Sequence, residues 1–189
     1  HYASKTSDIE FMYPWGWGEL EGIANRGTFD LTSHERESGK DLTYFDPETN
    51  KKINPVVIEP AGGLTRTLFA ILCSNYDEDT VNDTTRTLFR FNFEIAPIQI
   101  AILPLSKKDN LINFSKEIKT KLQKSFRTEI DITQSIGKRY RRQDEIGTPY
   151  CITVDFETID DDSVTIRNRD TMNQERVEIN KLHDYFENI

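Results

Sequence analysis

Cysteine, histidine and long apolar runs are all scarce in this sequence. Its two cysteines, Cys73 and Cys151, stand far apart among apolar neighbours, which favours reduced buried thiols and leaves a disulfide or a reactive thiol as the alternative. The three scattered histidines have no metal-ligand spacing, so we expect no metal site. The longest apolar run, Ile98–Leu105, suits a buried strand and falls well short of the roughly 18–20 residues of a membrane span. No membrane partner is therefore expected.

The amino terminus lacks two further features. The segment HYASKTSDIE has no initiator Met and no apolar stretch of the kind found in a signal peptide. We therefore expect a cytoplasmic protein, and we expect this chain to be part of a longer one.

Charge is distributed unevenly along the chain, whose net charge is −8. Residues 107–142 carry 11 basic and 4 acidic side chains, whereas the segments on both sides are acidic. A local positive region between acidic segments is typical of a site for a polyanion, because its field attracts phosphates despite the overall sign. The alternative is a solvated helix face.

The first part of the chain, up to about Arg90, is rich in aromatic residues and acidic loops. Tyr13–Ile23 predicts a strand, and the helical spacing of apolar residues predicts a helix over Leu64–Tyr76. The polar, acidic segment Asn75–Thr85 predicts a mobile loop.

From Phe93 onward, strand and helix patterns alternate. A β-α-β-α-β unit followed by a hairpin and a closing helix predicts an α/β domain with a mixed sheet. Asn180 is expected to cap the last helix. The fold class of the whole chain is therefore expected to be α+β followed by α/β. The predicted elements are strands near Ile98–Leu103, Glu129–Ile132, Tyr150–Phe156, Val164–Ile166 and Val177–Ile179, and helices near Leu111–Leu122 and Lys138–Glu145.

Three segments could carry chemistry. Glu59–Arg66 (EPAGGLTR) places two glycines, which permit close approach of a ligand, between a carboxylate and an arginine, although a plain turn would have the same letters. Trp15–Glu21 (WGWGELE) holds Glu19, which needs a partner unless it faces solvent. Lys138–Arg142 (KRYRR) combines cations with an aromatic ring, a combination suited to single-stranded RNA, unless Asp144 and Glu145 pair with its arginines.

Taken in order, these segments resemble the dimeric, class II glycyl-tRNA synthetases. The most specific matches are GWGELEGIA and SIGKRYRRQDEIGTP, and further matches are YPWGWGELEGIA, DLTYFDPETNKK and VVIEPAGGLTRTLFAIL. The resemblance implies that residues 1–92 are the C-terminal portion of an antiparallel-sheet catalytic domain, with the third class-defining motif at residues 59–76. It implies that residues 93–189 are an anticodon-binding domain.

The resemblance also implies site residues and partners. The parent enzyme would activate glycine with ATP and Mg²⁺, without a permanent cofactor, and transfer it to glycine tRNA as a homodimer. The ATP side would comprise Glu19, Leu20, Gly63, Leu64, Thr65 and Arg66. The glycine side would comprise Glu59, Pro60, Ala61, Gly62 and Gly63. The tRNA contacts would be Lys138, Arg139, Tyr140, Arg141 and Arg142.

Two departures from the family pattern affect these expectations. Ala61 stands where the family often has serine, which removes one hydroxyl contact to glycine. The first two class-defining motifs are also missing, so we expect no catalytic residue in this chain and no adenylate formation by it alone, although it should bind tRNA. The alternative is a non-catalytic, synthetase-like nucleic-acid-binding protein of the polymerase accessory-subunit type.

Overall fold

A computed structural model describes residues 3–81 and 83–189, and the chain divides into two compact units, one up to Ser74 and one from Asn75 onward. This division falls earlier in the chain than the domain boundary predicted after Asn92, which stays a prediction. Among the described residues, no helix has both the length and the apolar character that a membrane crossing requires.

The first unit is built on a three-stranded antiparallel sheet of order β1-β2-β5. Its elements are β1 (Lys5–Tyr13), β2 (Gly16–Gly27), α1 (Phe29–Ser38), β3 (Tyr44–Asp46), β4 (Lys51–Ile53), β5 (Val57–Gly62) and α2 (Leu64–Asn75). The helix predicted over Leu64–Tyr76 is confirmed. The strand predicted over Tyr13–Ile23 is confirmed from Gly16 onward as part of β2. Its start is wrong, because Tyr13 ends β1 and the chain reverses at Pro14–Trp15 to pair β1 with β2. Gly16 permits this reversal with φ +118°, a conformation that other residues rarely adopt.

The second unit begins with a hairpin and continues as an α/β domain. Its elements are β6 (Tyr76–Val81), β7 (Thr84–Phe89), β8 (Ile100–Pro104), α3 (Asp109–Leu122), β9 (Thr128–Ile130), α4 (Ile136–Glu145), β10 (Tyr150–Val154), α5 (Thr158–Asp161), β11 (Ser163–Asn168), β12 (Gln174–Glu178) and α6 (Leu182–Glu187). The mobile loop predicted over Asn75–Thr85 is wrong, since this segment forms β6 and the start of β7. Asn180 lies within a 3-10 turn, Ile179–Lys181, and Lys181 precedes α6, so the predicted cap is also wrong.

The five-stranded sheet of this unit has the order β12-β11-β10-β8-β9 and is mixed, as predicted. Strands β10, β8 and β9 are parallel, whereas β11 and β12 are antiparallel to their neighbours. Ile100, Ile102 and Ile152 pack on one face with α3 and α6. Ala101 and Cys151 pack on the other face with α4. Because both faces of the parallel strands are covered, their sequences are apolar without alternation.

A buried ion network fixes the β6–β7 hairpin to the α/β domain. The carboxylate of Asp144 on α4 is 2% exposed, and Arg167 donates hydrogen bonds of 2.8 and 3.0 Å to its two oxygens. Arg86 on β7 donates to Asp144 at 3.2 Å, to the carbonyl of Arg169 at 2.9 Å and to Asp79. Charges at this depth are tolerated only when they are paired and hydrogen-bonded, so the hairpin and the domain form one cooperative unit.

The chain leaves α4 through Gly147, which has φ +84°. A methyl group on this residue would lie 2.3 Å from Cδ2 of Phe91 and 2.9 Å from Cβ of Phe89. Glycine is therefore required here by both the backbone conformation and the space available.

We predict that Gly147→Ala destabilises the chain by roughly 2–4 kcal/mol, because it adds left-handed strain to a steric clash with Phe91. Gly137→Ala is the matched control, since Gly137 lies within α4 with open space around its Cα, and alanine there should stabilise by up to about 1 kcal/mol. Urea unfolding measures both changes. Equal stability of the two variants would contradict the conclusion that glycine is required at position 147.

We predict that Arg86→Met lowers the free energy of unfolding by about 3–5 kcal/mol, because it leaves the Asp144 carboxylate buried with one partner fewer. Lys181→Met is the control in the same unit, since Lys181 forms an exposed pair with Glu178, and its effect should stay within about 0.5 kcal/mol. Chemical denaturation followed by circular dichroism distinguishes the two. A loss no larger than that of the control would show that the network does not hold the hairpin.

Acid should weaken the hairpin. A hydrogen bond from Arg86 holds the pKa of Asp79 below 3.8, and one from Arg90 does the same for the pKa of Asp77. A carboxylate with a lowered folded pKa stabilises the fold above its unfolded value and loses that contribution as the pH falls through the folded value. We therefore expect stability to decline below about pH 4, and Asp77→Asn/Asp79→Asn should flatten this decline in denaturation measured across that range.

Candidate functional sites

Three aromatic side chains form one wall of an open cavity in the first unit. Tyr13 stacks on Trp15, with ring centroids 5.0 Å apart and planes 5° apart, and Trp15 stacks on Phe69 at 5.6 Å. The cavity has a volume of about 330 Å³. Gly18 allows the Tyr13 ring to lie against β2, since a methyl group there would be 3.2 Å from Cδ2 of that ring. The three rings therefore form a flat apolar surface in a cavity that also has polar lining residues.

The other wall of this cavity contains residues predicted for the ATP side. Glu19, Thr65 and Arg66 all line it. Arg66 lies in the first turn of α2 and donates a 2.7 Å hydrogen bond to the carbonyl of Glu19. Leu20, Gly63 and Leu64 adjoin these lining residues in the chain. The structure therefore places a hydrogen-bonded guanidinium and a stack of rings in the lining of one cavity, an arrangement that can hold a planar ring and an anionic group together.

Of the residues predicted for the glycine side, Glu59, Pro60, Ala61 and Gly62 lie on β5, next to β2, and Gly63 follows the strand. Ala61 pairs with Gly22, and Glu59 pairs with Ala24, so these four residues share one face of the sheet. Pro60 and Gly62 alternate to the other face.

The Glu19 carboxylate lies above the same face. Its Oε1 is 3.3 Å from the position that a Cβ on Gly22 would occupy. Glu19 and Glu59 thus stand over a floor of glycine and alanine, which suits a small cationic group.

Several side chains at this site were missed by the sequence analysis. Arg26 forms an ion pair of 2.9 Å with Glu59 and a second of 2.6 Å with Asp30. Trp15 was named only as the start of the segment that holds Glu19, and Phe69 was not singled out. Arg26 is the unpaired residue at a β-bulge in β2, between Asn25 and Gly27, and no spacing rule in the sequence brings it to Glu59.

The predicted RNA-contact helix, α4, turns part of its charge inward. Arg139 is 3% exposed, and its Nη1 donates to the carbonyls of Pro104 at 2.7 Å and Asp131 at 3.1 Å. Tyr140 hydrogen-bonds Thr153.

The outer side of α4 carries the remaining predicted cations. Arg142 pairs with Asp131, Arg141 donates to the carbonyl of Thr85 at 3.1 Å, and Lys138 is exposed. The alternative that Asp144 pairs with arginines of α4 itself is wrong. The observed ion pairs of Asp144 are with Arg86 and Arg167. Arg139, one of the five predicted tRNA contacts, donates to two protein carbonyls. The role of all five residues in tRNA binding stays a prediction.

Cys73, Cys151 and His183 carry thiol and imidazole groups, which can act as nucleophiles or metal ligands. Cys73 and Cys151 are both free thiols, and burial raises the pKa of Cys151 above its usual range. A buried neutral thiol of this kind is inert. His183 lies at the surface near Asp184 and Glu187, with its Nε2 3.1 Å from Oγ of Ser125. We assign no function to this exposed cluster of His183, Asp184 and Glu187.

Comparison with known proteins gives consistent matches along the chain. A family model described as the anticodon-binding domain matches residues 99–189. The glycine–tRNA ligase of Ruminiclostridium cellulolyticum is 55% identical over 189 residues, which is 100% of this chain and 40% of that protein. Those of Clostridium kluyveri and Bacillus cereus are 52% and 49% identical over 98% and 99% of this chain.

The chain spans about 40% of the length of these relatives. The matched region nevertheless covers both compact units of this chain. The chain therefore belongs to the glycine–tRNA ligase family, corresponds to part of the length of its members, and contains an anticodon-binding domain in residues 99–189.

Proposed function

We propose that this chain is the C-terminal part of a glycine–tRNA ligase, an enzyme that activates glycine with ATP and transfers it to glycine tRNA. Residues 1–92 contribute to the catalytic domain and residues 93–189 bind the tRNA. The observation that carries the proposal is the meeting of Arg66 with Glu19 beside the aromatic cavity, next to the sheet face that holds Glu59.

On the ATP side, the proposed role of Arg66 is electrostatic. Its guanidinium offsets negative charge that develops on the pyrophosphate leaving group, and a fixed donor aimed at developing charge accelerates the step. The bond to the Glu19 carbonyl holds the arginine at the cavity. Mg²⁺ accompanies ATP as its counter-ion, and no permanent cofactor is required. Thr65 and the backbone of Leu20, Gly63 and Leu64 complete this side.

On the glycine side, selection is steric. The carboxylates of Glu59 and Glu19 attract the ammonium group of the substrate, while Gly22 and Ala61 leave room for an α-carbon without a side chain. A larger amino acid would collide with this floor, so glycine is selected at the binding step. Pro60 and Gly62 pair with Ile23 and Glu21 of β2.

The chain alone is proposed to be inactive. It lacks the first two class-defining motifs, one of which supplies a second arginine for the α-phosphate and the other much of a dimer interface. The parent enzyme is therefore proposed to be a cytoplasmic homodimer, and the chain keeps the function of holding tRNA through its anticodon-binding domain.

We predict that Arg66→Ala in the full-length parent lowers glycine-dependent ATP–pyrophosphate exchange about 10²–10³-fold, because a charge-stabilising donor is lost. Arg36→Ala, on the exposed surface of α1, is the control and should leave the rate unchanged. A full-length parent with Arg66 intact and no exchange at all would favour the non-catalytic, accessory-subunit reading.

We predict that Ala61→Ser in the parent lowers the KM for glycine by about 2–12-fold with little change in kcat, since a hydroxyl adds one hydrogen bond to the bound substrate. Arg36→Ala, on the exposed surface of α1, is again the control and should have no effect on KM. An equal response of both variants would argue against a glycine site at Ala61.

A further inference from the structure

The edge strand β12 carries a glutamate on the sheet face that packs against helices. Glu175 lies opposite Ile166 of β11, and Val177 lies opposite Val164. Residues directly opposite each other in an antiparallel pair share one face of the sheet, and Ile166 and Val164 belong to the apolar core that includes residues of α3 and α6. Glu175 therefore occupies a position at which the alternation of the strand favours an apolar side chain.

The side-chain partner of Glu175 is a neutral group. The hydroxyl of Tyr185 on α6 donates a hydrogen bond to the Glu175 carboxylate. Arg176 beside it and Lys181 after the strand form their ion pairs with other acids, and over residues 3–81 and 83–189 no ion pair involves Glu175. Burial and the bond to this carboxylate raise the pKa of Tyr185 above its usual range. The carboxylate thus retains its negative charge without a cation to balance it.

An open cavity of about 290 Å³ lies beside this carboxylate. Its lining includes Glu175, the rings of Tyr150 and Tyr185, and oxygen-bearing side chains of the turn Asn168–Asn173. The centroids of the two tyrosine rings are 6.5 Å apart and their planes are 89° apart, so the rings form two walls at a right angle. In the described part of the chain, no lysine or arginine lies over either ring.

The walls of the cavity are held in place by the core and by the turn. Phe186, which is buried, lies edge to face with Tyr150 at 5.6 Å and with Tyr185 at 5.0 Å. In the turn, Oδ1 of Asn168 accepts hydrogen bonds of 2.8 and 2.9 Å from the amides of Asp170 and Thr171. A ligand would therefore meet a preformed site and would order few groups on binding.

We propose that this cavity binds a primary alkylammonium ion, with the charge against Glu175 and the methylene chain against the rings of Tyr150 and Tyr185. A carboxylate without a cation and two aromatic rings both attract an ammonium group. A primary ammonium has three donors, which match the carboxylate and the oxygens of the turn Asn168–Asn173. The inference goes beyond the proposed function, since neither glycine transfer nor tRNA is needed for it.

The first test compares a cation with a neutral molecule of the same shape. Amide chemical shifts of the 189-residue chain are followed during titration with n-butylammonium and, separately, with 1-butanol. Butylammonium should shift residues 150, 168–175 and 185 in a saturable way, and 1-butanol should bind about fivefold or more weakly because it lacks the charge. Equal binding of the alcohol would overturn the proposal, since the cavity would then recognise only an apolar chain.

A pair of variants removes the same charge at two places in the second unit. Glu175→Gln should weaken butylammonium binding about fivefold or more and leave binding of 1-butanol unchanged. Glu187→Gln, on the exposed side of α6 and outside the cavity lining, is the matched control and should leave both unchanged. Equal losses in the two variants would show only general attraction by an acidic domain. Unchanged affinity in Glu175→Gln would leave Glu175 with the task of preventing edge-to-edge pairing of β12, and either result would overturn the proposal.

Two changes at Tyr185 separate the ring from its hydroxyl. Tyr185→Phe keeps the ring and should bind butylammonium within about twofold of the wild type, whereas Tyr185→Leu should bind about threefold or more weakly. Circular dichroism confirms that both variants are folded. Equal affinities of the two variants would contradict a contact between the ligand and the Tyr185 ring.

A free amine and a lysine side chain present the same chemical group. Spermidine and a capped tripeptide with lysine at its centre are therefore titrated in parallel, each against the wild type and Glu175→Gln. Tighter binding of spermidine would identify a free polyamine as the ligand, and tighter binding of the peptide would identify a lysine side chain. Binding of neither, or binding that Glu175→Gln does not weaken, would overturn the proposal.

Discussion

The carboxylate of Asp144 is the point on which the second unit depends. It is almost fully buried, and its two oxygens accept hydrogen bonds from Arg86 and Arg167, which come from a hairpin and a central strand. Removal of any member would leave an unbalanced charge where water does not reach. This single acid therefore joins α4 to β11 and to the β6–β7 hairpin.

The same arrangement explains why α4 carries so many charges in so short a helix. Its inward positions hold Arg139, Gln143 and Asp144, each with partners in neighbouring elements, whereas Lys138 and Glu145 remain in solvent. The cations of α4, which in the sequence resemble one RNA-binding patch, thus fall into two groups. Some of them hold the helix against the sheet, and the others face outward.

Periodicity predicted the parts of the fold in which apolar residues decide the structure. The helix α2 follows from apolar residues three to four positions apart, and the buried strand β8 follows from a nearly continuous apolar run. The β6–β7 hairpin was missed because its acidic residues are typical of a loop. The arginines that balance these acids include Arg86 on the opposite strand and Arg90 just after that strand. The inward turn of Arg139 was missed for a similar reason, since its partners are backbone carbonyls of Pro104 and Asp131, which no side-chain pattern encodes.

Chain synthesis gives the Asp144 network a temporal order. The hairpin has local pairing and can form as soon as it leaves the ribosome, but Arg86 must wait 58 residues for Asp144 and 83 for the carbonyl of Arg169. Until then its charge remains in water and the hairpin is not attached to a domain. A product released early, before β11, would expose the apolar faces of β8 and β10 and become a substrate for quality-control proteases. Synthesis of the last 25 or so residues of the unit is therefore needed before the β6–β7 hairpin is stably attached and protected from degradation.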